Sequence, residues 1–223
     1  MDQAIREAAP LAFGVALSPL PIAAVIVILS TANARANASA FVATWVLGIL
    51  AVGLTVFAIP GLETNRGDPT KLAGAIRSVL GLLLIALAWK QWRSRPASRK
   101  DAEVPAWMAK LETIGVGQAA WTGFLFSVVN PKNLVFTGAA AAAIDASRLD
   151  PMQQFVALLS YAGLASVTVA VPVIGFFVFG HRAEATLSRF KDWLIGNNAA
   201  VMTVLLVVLA AVILIGAVEI ING

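Results

Sequence analysis

The chain has 223 residues, of which 59% are hydrophobic and only 13% are charged, and its mean hydropathy is +0.85. Charged residues are about half as frequent as in soluble domains, so the composition indicates an integral membrane protein without a separate soluble domain. The net charge of +4 comes from basic residues that lie mainly at the ends of apolar segments. This placement is typical of orientation in a bilayer, and we expect no nucleic-acid partner. Because the chain has no cysteine, disulfides and thiolate metal sites are excluded.

Apolar runs long enough to cross a hydrocarbon core, which takes about 20 residues, recur six times along the chain. They predict an all-α integral membrane fold with six transmembrane helices. The predicted spans are at about 8–32, 39–60, 72–92, 115–144, 152–179 and 196–220. The first run is too long for a signal peptide, and the leading "MDQAIRE" has no net positive charge.

The basic residues predict an orientation for these spans. The first, third and fifth connections with their flanks hold ten Lys and Arg residues, whereas the opposite side holds five. This bias favours a plasma-membrane protein with both termini outside the cytoplasm and the "RSRPASRK" loop inside. Two connections, "VPAWMAKLETIG" and "RAEATLSRFKDWLIG", are amphipathic. They predict helices that lie on the membrane or that pack on neighbouring spans.

The first span is interrupted by "SPLP" at residues 18–21. Proline inside a helix removes an N–H and clashes with the carbonyl one turn back, yet it is favoured as the first residue of a helix. Serine is a preferred residue immediately before a helix. The interruption therefore predicts two half-helices, the second beginning at Pro19 after Ser18, with Pro21 extending the break.

The fourth span is interrupted in the same way by "NPKN" at residues 130–133. A helix that begins in mid-membrane directs free N–H groups and the positive end of its dipole into a cavity. Lys132 adds a full charge, and ionisable residues inside a span are functional candidates by default. The two interruptions predict an anion site for phosphate, sulfate or carboxylate. The candidate substrate-binding residues are Ser18, Pro19, Pro21, Asn130, Pro131, Lys132 and Asn133. The candidate gate or coupling residues are Arg77 and Asp145.

The two interruptions also indicate an internal repeat. Pro19 and Pro131 are 112 residues apart, as are Pro60 and Pro172, and "FVA" at 41–43 recurs at 155–157. Because each half holds three spans, the second half must enter the bilayer from the opposite side. The sequence thus predicts one membrane domain built from inverted repeats, residues 1–111 and 112–223, with the first and fourth spans broken. Secondary transporters commonly have this architecture.

An intramembrane enzyme would need a base, a nucleophile or metal ligands at one depth. The single histidine, His181, lies at a span end, and no acidic pair lies inside a span. We therefore expect neither catalysis nor a cofactor or metal.

Three segments resemble one known family: "LAFGVALSPLPIAAVIVIL", "FVATWVLGIL" and "NPKNLVFTGAAAAAI". They are similar to the first, second and fourth spans of the glycopeptidolipid- and sulfolipid-addressing proteins of actinobacteria, which belong to the lysine-exporter superfamily. The resemblance implies a plasma-membrane protein that helps to deliver complex cell-envelope lipids outward, alongside larger lipid transporters. In the wider superfamily the first motif tends to be proline-glycine-proline, and here Leu20 replaces the glycine.

Three functions stay open on the sequence. The first is an exporter or flippase for anionic amphipathic lipids or glycolipids. The second is an exporter of small polar solutes or amino acids, and the third is a scaffold that assists a larger lipid-export complex without transporting. A lipid substrate predicts a lateral opening lined by apolar residues, whereas a small solute predicts an enclosed pocket. The sequence leaves the oligomeric state open, a homo-oligomer included.

Overall fold

A computed structural model describes residues 2–58, 71–93, 106–147 and 149–222, and every regular element within these ranges is a helix. The all-α fold predicted from the sequence is confirmed for this part of the chain. The helices are α1 (Asp2–Ala16), α2 (Pro19–Ile28), α3 (Ala34–Phe57), α4 (Lys71–Arg93), α5 (Ala106–Leu111), α6 (Val116–Val128), α7 (Pro131–Ala146), α8 (Pro151–Phe179), α9 (Glu184–Gly196) and α10 (Asn198–Asn222), with a 3₁₀ turn at Gly180–Ala183 between α8 and α9.

Two of the described helices, α3 and α8, are each long and apolar enough to cross a membrane. The number rises to four if two bent pairs, α1 with α2 and α9 with α10, each form one span. The structure therefore gives two to four candidate spans within the described residues. The six spans and their inverted repeat stay a prediction. Pro172 lies buried inside α8, whereas its predicted repeat partner Pro60 lies outside the described residues.

The chain divides into two compact units, and the site described below lies entirely in the larger one. This unit comprises Met1–Asn65 with Val104–Lys191, and the other comprises Arg66–Glu103 with Asp192–Gly223. In the smaller unit α4 packs along α10, and a Cβ added at Gly81 would meet the side chain of Leu214. The predicted halves 1–111 and 112–223 stay a prediction.

In the larger unit, α1 packs on α7 and α8, while α3 packs on α6, α7 and α8. Small residues let α3 and α6 approach closely: a Cβ added at Gly123 would overlap the backbone carbonyl of Phe41, and one at Gly48 would overlap the Ser127 hydroxyl. Thr44 Oγ1 also donates a hydrogen bond of 2.6 Å to the Ala120 carbonyl across this contact. This packing holds α6 against α3.

The two amphipathic connections form the short helices α5 and α9. Met108 and Leu111 of α5 are buried, and α5 packs on α2. Leu194 of α9 is buried, whereas Phe190 and Trp193 remain exposed. Of the two interpretations for "VPAWMAKLETIG", the structure therefore favours packing on a neighbouring helix.

Candidate functional site

The first break, residues 17 and 18, separates α1 from α2. The two helices meet at a bend of 59°, and α2 begins at Pro19 as the sequence predicts. Ser18 has an extended backbone, with φ −116° and ψ 96°, and its side chain is buried. The Ser18 hydroxyl does not cap α2, since its Oγ donates a hydrogen bond of 2.7 Å back to the Val15 carbonyl. The serine thus stabilises the end of α1 instead of the start of α2.

The second break, residues 129 and 130, separates α6 from α7, and α7 begins at Pro131 as predicted. Asn130 Oδ1 accepts a hydrogen bond of 3.1 Å from the Lys132 backbone N–H and so caps α7. Asn133 Nδ2 donates a hydrogen bond of 3.1 Å to the Phe126 carbonyl in the last turns of α6. Within the motif itself, Asn130 thus caps α7 and Asn133 connects α7 to the end of α6.

The two breaks meet at the side chain of Lys132. Its Nζ donates hydrogen bonds to the carbonyls of Gly14 and Leu17, at 2.5 Å and 3.2 Å, and to the Ser18 hydroxyl at 2.8 Å. An ammonium group has three donors, so all three are in use. The motifs "SPLP" and "NPKN", 112 residues apart in sequence, thus form one cluster in space.

The Lys132 cluster, comprising Lys132, Ser18 and the last carbonyls of α1, also includes a residue that the sequence analysis missed. Thr168 of α8 donates its hydroxyl to the Ala16 carbonyl. Together with Ser18 and Lys132, it supplies donors to the carbonyls from Gly14 to Leu17, which a helix end leaves without intrahelical partners. Nothing in the sequence separates Thr168 from Ser166, whose hydroxyl bonds its own helix at Ala162.

The charge of Lys132 is not neutralised by a carboxylate within the described residues, because its three acceptors are all uncharged oxygens. The ammonium lies at the carbonyl end of α1, which is the negative end of that helix dipole. This arrangement differs from the predicted cluster of positive helix starts. Pro19 and Pro21 also remove two backbone donors from the first turn of α2, so that turn has fewer N–H groups for an anion than most helix starts.

Exposed apolar side chains lie in and beside the two breaks that form the cluster. Lys132 is half-buried, while Leu17, Leu20 and Val129, all in or beside the breaks, are exposed to 48%, 46% and 61%. Exposed apolar side chains of this kind are suited to contact lipid tails. The two breaks therefore carry surface that is compatible with a bilayer.

The remaining candidate residues do not join this cluster. Asp145, in the last turn of α7, accepts a hydrogen bond of 3.2 Å from Gln154 Nε2 and ties α7 to α8. It lies 13 residues beyond Lys132 on the same helix, or about 20 Å at 1.5 Å per residue. The side chain of Arg77 lies outside the described residues, and its backbone belongs to α4 in the smaller unit.

Further polar groups are buried in the larger unit, and the sequence analysis singled out only one of them, Asn133. Thr137 and Tyr161 share a hydrogen bond of 3.2 Å between α7 and α8. Within the described part of the chain, Asn133 Oδ1, Asn37 Oδ1 and Trp45 Nε1 are buried without a hydrogen-bond partner. No group of three or more His, Cys, Asp or Glu residues in these ranges could hold a metal ion.

A comparison with known families places this cluster in context. The family profile described as "Sap, sulfolipid-1-addressing protein" matches residues 9–219, which include both breaks, Lys132 and Thr168. The chain belongs to this family. The resemblance that the sequence motifs indicate is thereby confirmed. The family's description fits a role connected with membrane lipids. Neither the curated proteins nor the solved structures contain a significant match to the chain.

Proposed function

We propose that this protein is a transporter or flippase that delivers anionic amphipathic lipids outward across the plasma membrane. The substrate class comprises lipids with a sulfate, phosphate or carboxylate head group, such as sulfolipids, acidic glycolipids and phospholipids. One observation carries the proposal: the Lys132 ammonium lies half-buried between two broken helices and, among the described residues, its hydrogen bonds go to neutral oxygens. A charge held in an apolar environment without a counter-ion favours an anionic ligand.

The hydrogen bonds of Lys132 define how a head group binds. Because the three donors already have acceptors, an acidic head group replaces one of them. The Leu17 carbonyl, at 3.2 Å, is the most distant of the three and is the acceptor to be replaced. Its release frees the Leu17 carbonyl beside Ser18, and we expect this to loosen the end of α1. Binding and movement of the first break are thus coupled.

The surroundings of Lys132 favour a lipid over a small solute. Leu17, Leu20 and Val129, in or beside the two breaks, expose apolar surface. In this arrangement the head group reaches Lys132 while the acyl chains stay in the bilayer. The protein acts as a transporter without a chemical step, so the proposal requires no enzyme activity and no cofactor.

The proposed transport cycle uses six spans in two inverted halves, with both termini outside the cytoplasm. Two helix contacts support the inverted pairing. In the proposed repeat, α1 of the first half corresponds to α6 of the second, and α3 corresponds to α8. The first-half α3 packs on α6, and the second-half α8 packs on α1. A pseudo-twofold relation between the halves predicts this exchange of partners. Movement of one half against the other would then expose the Lys132 cluster to each leaflet in turn.

Reconstitution of the purified protein alone tests the proposal. Vesicles carry a trace of fluorescent phosphatidylglycerol or phosphatidylcholine, and an added reductant bleaches only the outer leaflet. We expect the protein to accelerate transfer of phosphatidylglycerol over phosphatidylcholine. Lys132→Gln, which keeps hydrogen-bond donors and removes the charge, should abolish this preference. Lys90→Gln, at an exposed position in α4, is the matched control.

Two outcomes of this experiment contradict the proposal. If folded protein transfers neither lipid, the protein acts as an accessory of a larger lipid-export complex. If it transports radiolabelled amino acids but no lipid, the substrate is a small polar solute. Repeating the assay across protein-to-lipid ratios also shows whether a homo-oligomer is the active form.

A further inference from the structure

A second feature of the larger unit, separate from the Lys132 cluster, is a groove between α5 and α6. It has a volume of about 510 Å³, within the roughly 300–1,000 Å³ typical of ligand sites. Gly117, Trp121 and Leu125 lie four residues apart on α6, so the groove follows this helix for about 12 Å. Its length along α6 therefore suits part of an extended hydrocarbon chain.

The groove lining is mostly apolar, with Gln118 and Thr122 as its uncharged polar residues and one basic residue. Leu111, Ile114, Leu125 and Phe126 contribute to its walls, and Trp121 is 61% exposed. Lys110 is the single charged residue in its lining. Lys110 lies on α5 near the first turn of α6, where backbone N–H groups add positive partial charge.

The connection between α5 and α6, which carries the groove residue Ile114, is held in place by a buried amide of α3. Asn37 Nδ2 donates hydrogen bonds to the Ile114 carbonyl at 2.9 Å and to Thr31 Oγ1 at 3.0 Å. Asn37 is fully buried, so this bond fixes the α5–α6 connection against the core. Gly117 leaves the floor open, since a Cβ added there would meet no atom within 4 Å.

We propose that this groove binds one anionic lipid of the surrounding membrane, with the head group against Lys110 and an acyl chain along Gly117, Trp121 and Leu125. The single charge and the mostly apolar lining together match an acidic head group joined to a hydrocarbon chain. Since the first turn of α6 is exposed, the lipid enters from the side. The site does not depend on transport through the Lys132 cluster.

Tryptophan fluorescence in vesicles tests this site directly. In a reporter variant, Trp89, Trp92, Trp107 and Trp193 are replaced by Phe, which leaves the exposed Trp121 and the fully buried Trp45. Brominated phosphatidylglycerol and brominated phosphatidylcholine are then compared as quenchers at equal mole fraction. We expect phosphatidylglycerol to associate with Trp121 about threefold more strongly, as one partly exposed charge pair allows.

Two pairs of variants assign the effect to the groove. Lys110→Gln should remove the preference for phosphatidylglycerol, whereas Lys110→Arg should retain it. Gly117→Leu should fill the groove and reduce quenching by both lipids. Gly163→Leu is its matched control, because a Cβ at this α8 position also meets no atom within 4 Å.

Equal quenching of Trp121 by the two lipids in the reporter variant would overturn the proposal. A preference that persists in Lys110→Gln would overturn it as well, since another group would then hold the head group. Unchanged quenching in folded Gly117→Leu would show that the acyl chain lies outside the groove.

Discussion

At the second break the connecting hydrogen bonds come from the motif itself, whereas at the first break they come largely from the other half of the chain. Asn130 caps α7 and Asn133 binds the end of α6, both within a few residues of Pro131. The carbonyls at the end of α1 instead accept bonds from Lys132 and Thr168, 115 or more residues away. Ser18 is the one side chain of the first motif that contributes.

This difference shows that two similar proline motifs can rely on tertiary structure to different degrees for the hydrogen bonds at their breaks. A break that is closed by its own side chains can form before the rest of the protein packs. The first break needs α7 in place, because in an apolar medium the Gly14 and Leu17 carbonyls would otherwise stay unsatisfied. From α8, Thr168 adds a second donor to the Ala16 carbonyl, which also accepts from the Ser18 N–H. A group that binds Lys132 therefore changes the first break and leaves the cap of the second break intact.

Removing Lys132 should have the largest effect on the first break and on the free energy of unfolding. Lys132→Ala withdraws the donors of Gly14 and Leu17 together, and we expect a loss of unfolding free energy on the order of 3 kcal/mol, since hydrogen bonds that involve a charged group are the strong ones. Denaturant titration in detergent measures it. Lys90→Ala, at an exposed position, is the control. Equal stability of the two variants would mean that the ammonium does not hold α1.

Asn130→Ala should weaken the second break alone. The loss of a helix cap costs about 1 kcal/mol. Hydrogen exchange should rise at the first turn of α7 and stay unchanged at residues 14–18. If exchange rises equally at both breaks, the second break is not self-contained and the comparison fails.

Thr168→Val should cause the smallest loss of unfolding free energy, and this loss should be confined to the first break. It removes one donor to the first break without altering charge, and we expect a loss of about 0.6 kcal/mol, the average for such bonds in membranes. The preference for anionic lipid should remain. Ser166→Ala is the control, because this hydroxyl bonds only its own helix. A lost lipid preference in Thr168→Val would place Thr168 in substrate recognition.

The sequence predicts the helix starts well, because the pairs Ser18-Pro19 and Asn130-Pro131 act locally through the chemistry of proline. It also singles out Lys132 as a candidate, because a charge inside an apolar run is unusual. The direction of the Lys132 side chain towards α1 depends on how α1 packs against α7, which local sequence does not encode. The role of Thr168 is hidden for the same reason.

The six predicted spans stay a prediction, and the structure supports a smaller number within the described residues. Apolar runs predict six spans, while in the described residues α3 and α8 are individually long and apolar enough, and the bent pairs α1–α2 and α9–α10 raise the number to four. The length and hydropathy of an apolar run do not show where a helix begins or ends inside that run, so one run can contain two shorter helices. The partner of Asp145 is likewise not visible in the sequence, because its hydrogen bond with Gln154 depends on how α7 packs on α8.

The most direct test of the account is the chemical accessibility of Lys132 in the presence of acidic lipid. The protein in neutral detergent is treated with an amine-acetylating reagent, and modification of each lysine is followed by mass spectrometry. The account predicts that added phosphatidylglycerol slows acetylation of Lys132, that phosphatidylcholine does not, and that the exposed Lys90 reacts alike in both. Equal acetylation of Lys132 with either lipid would contradict the claim that its ammonium binds an anionic head group.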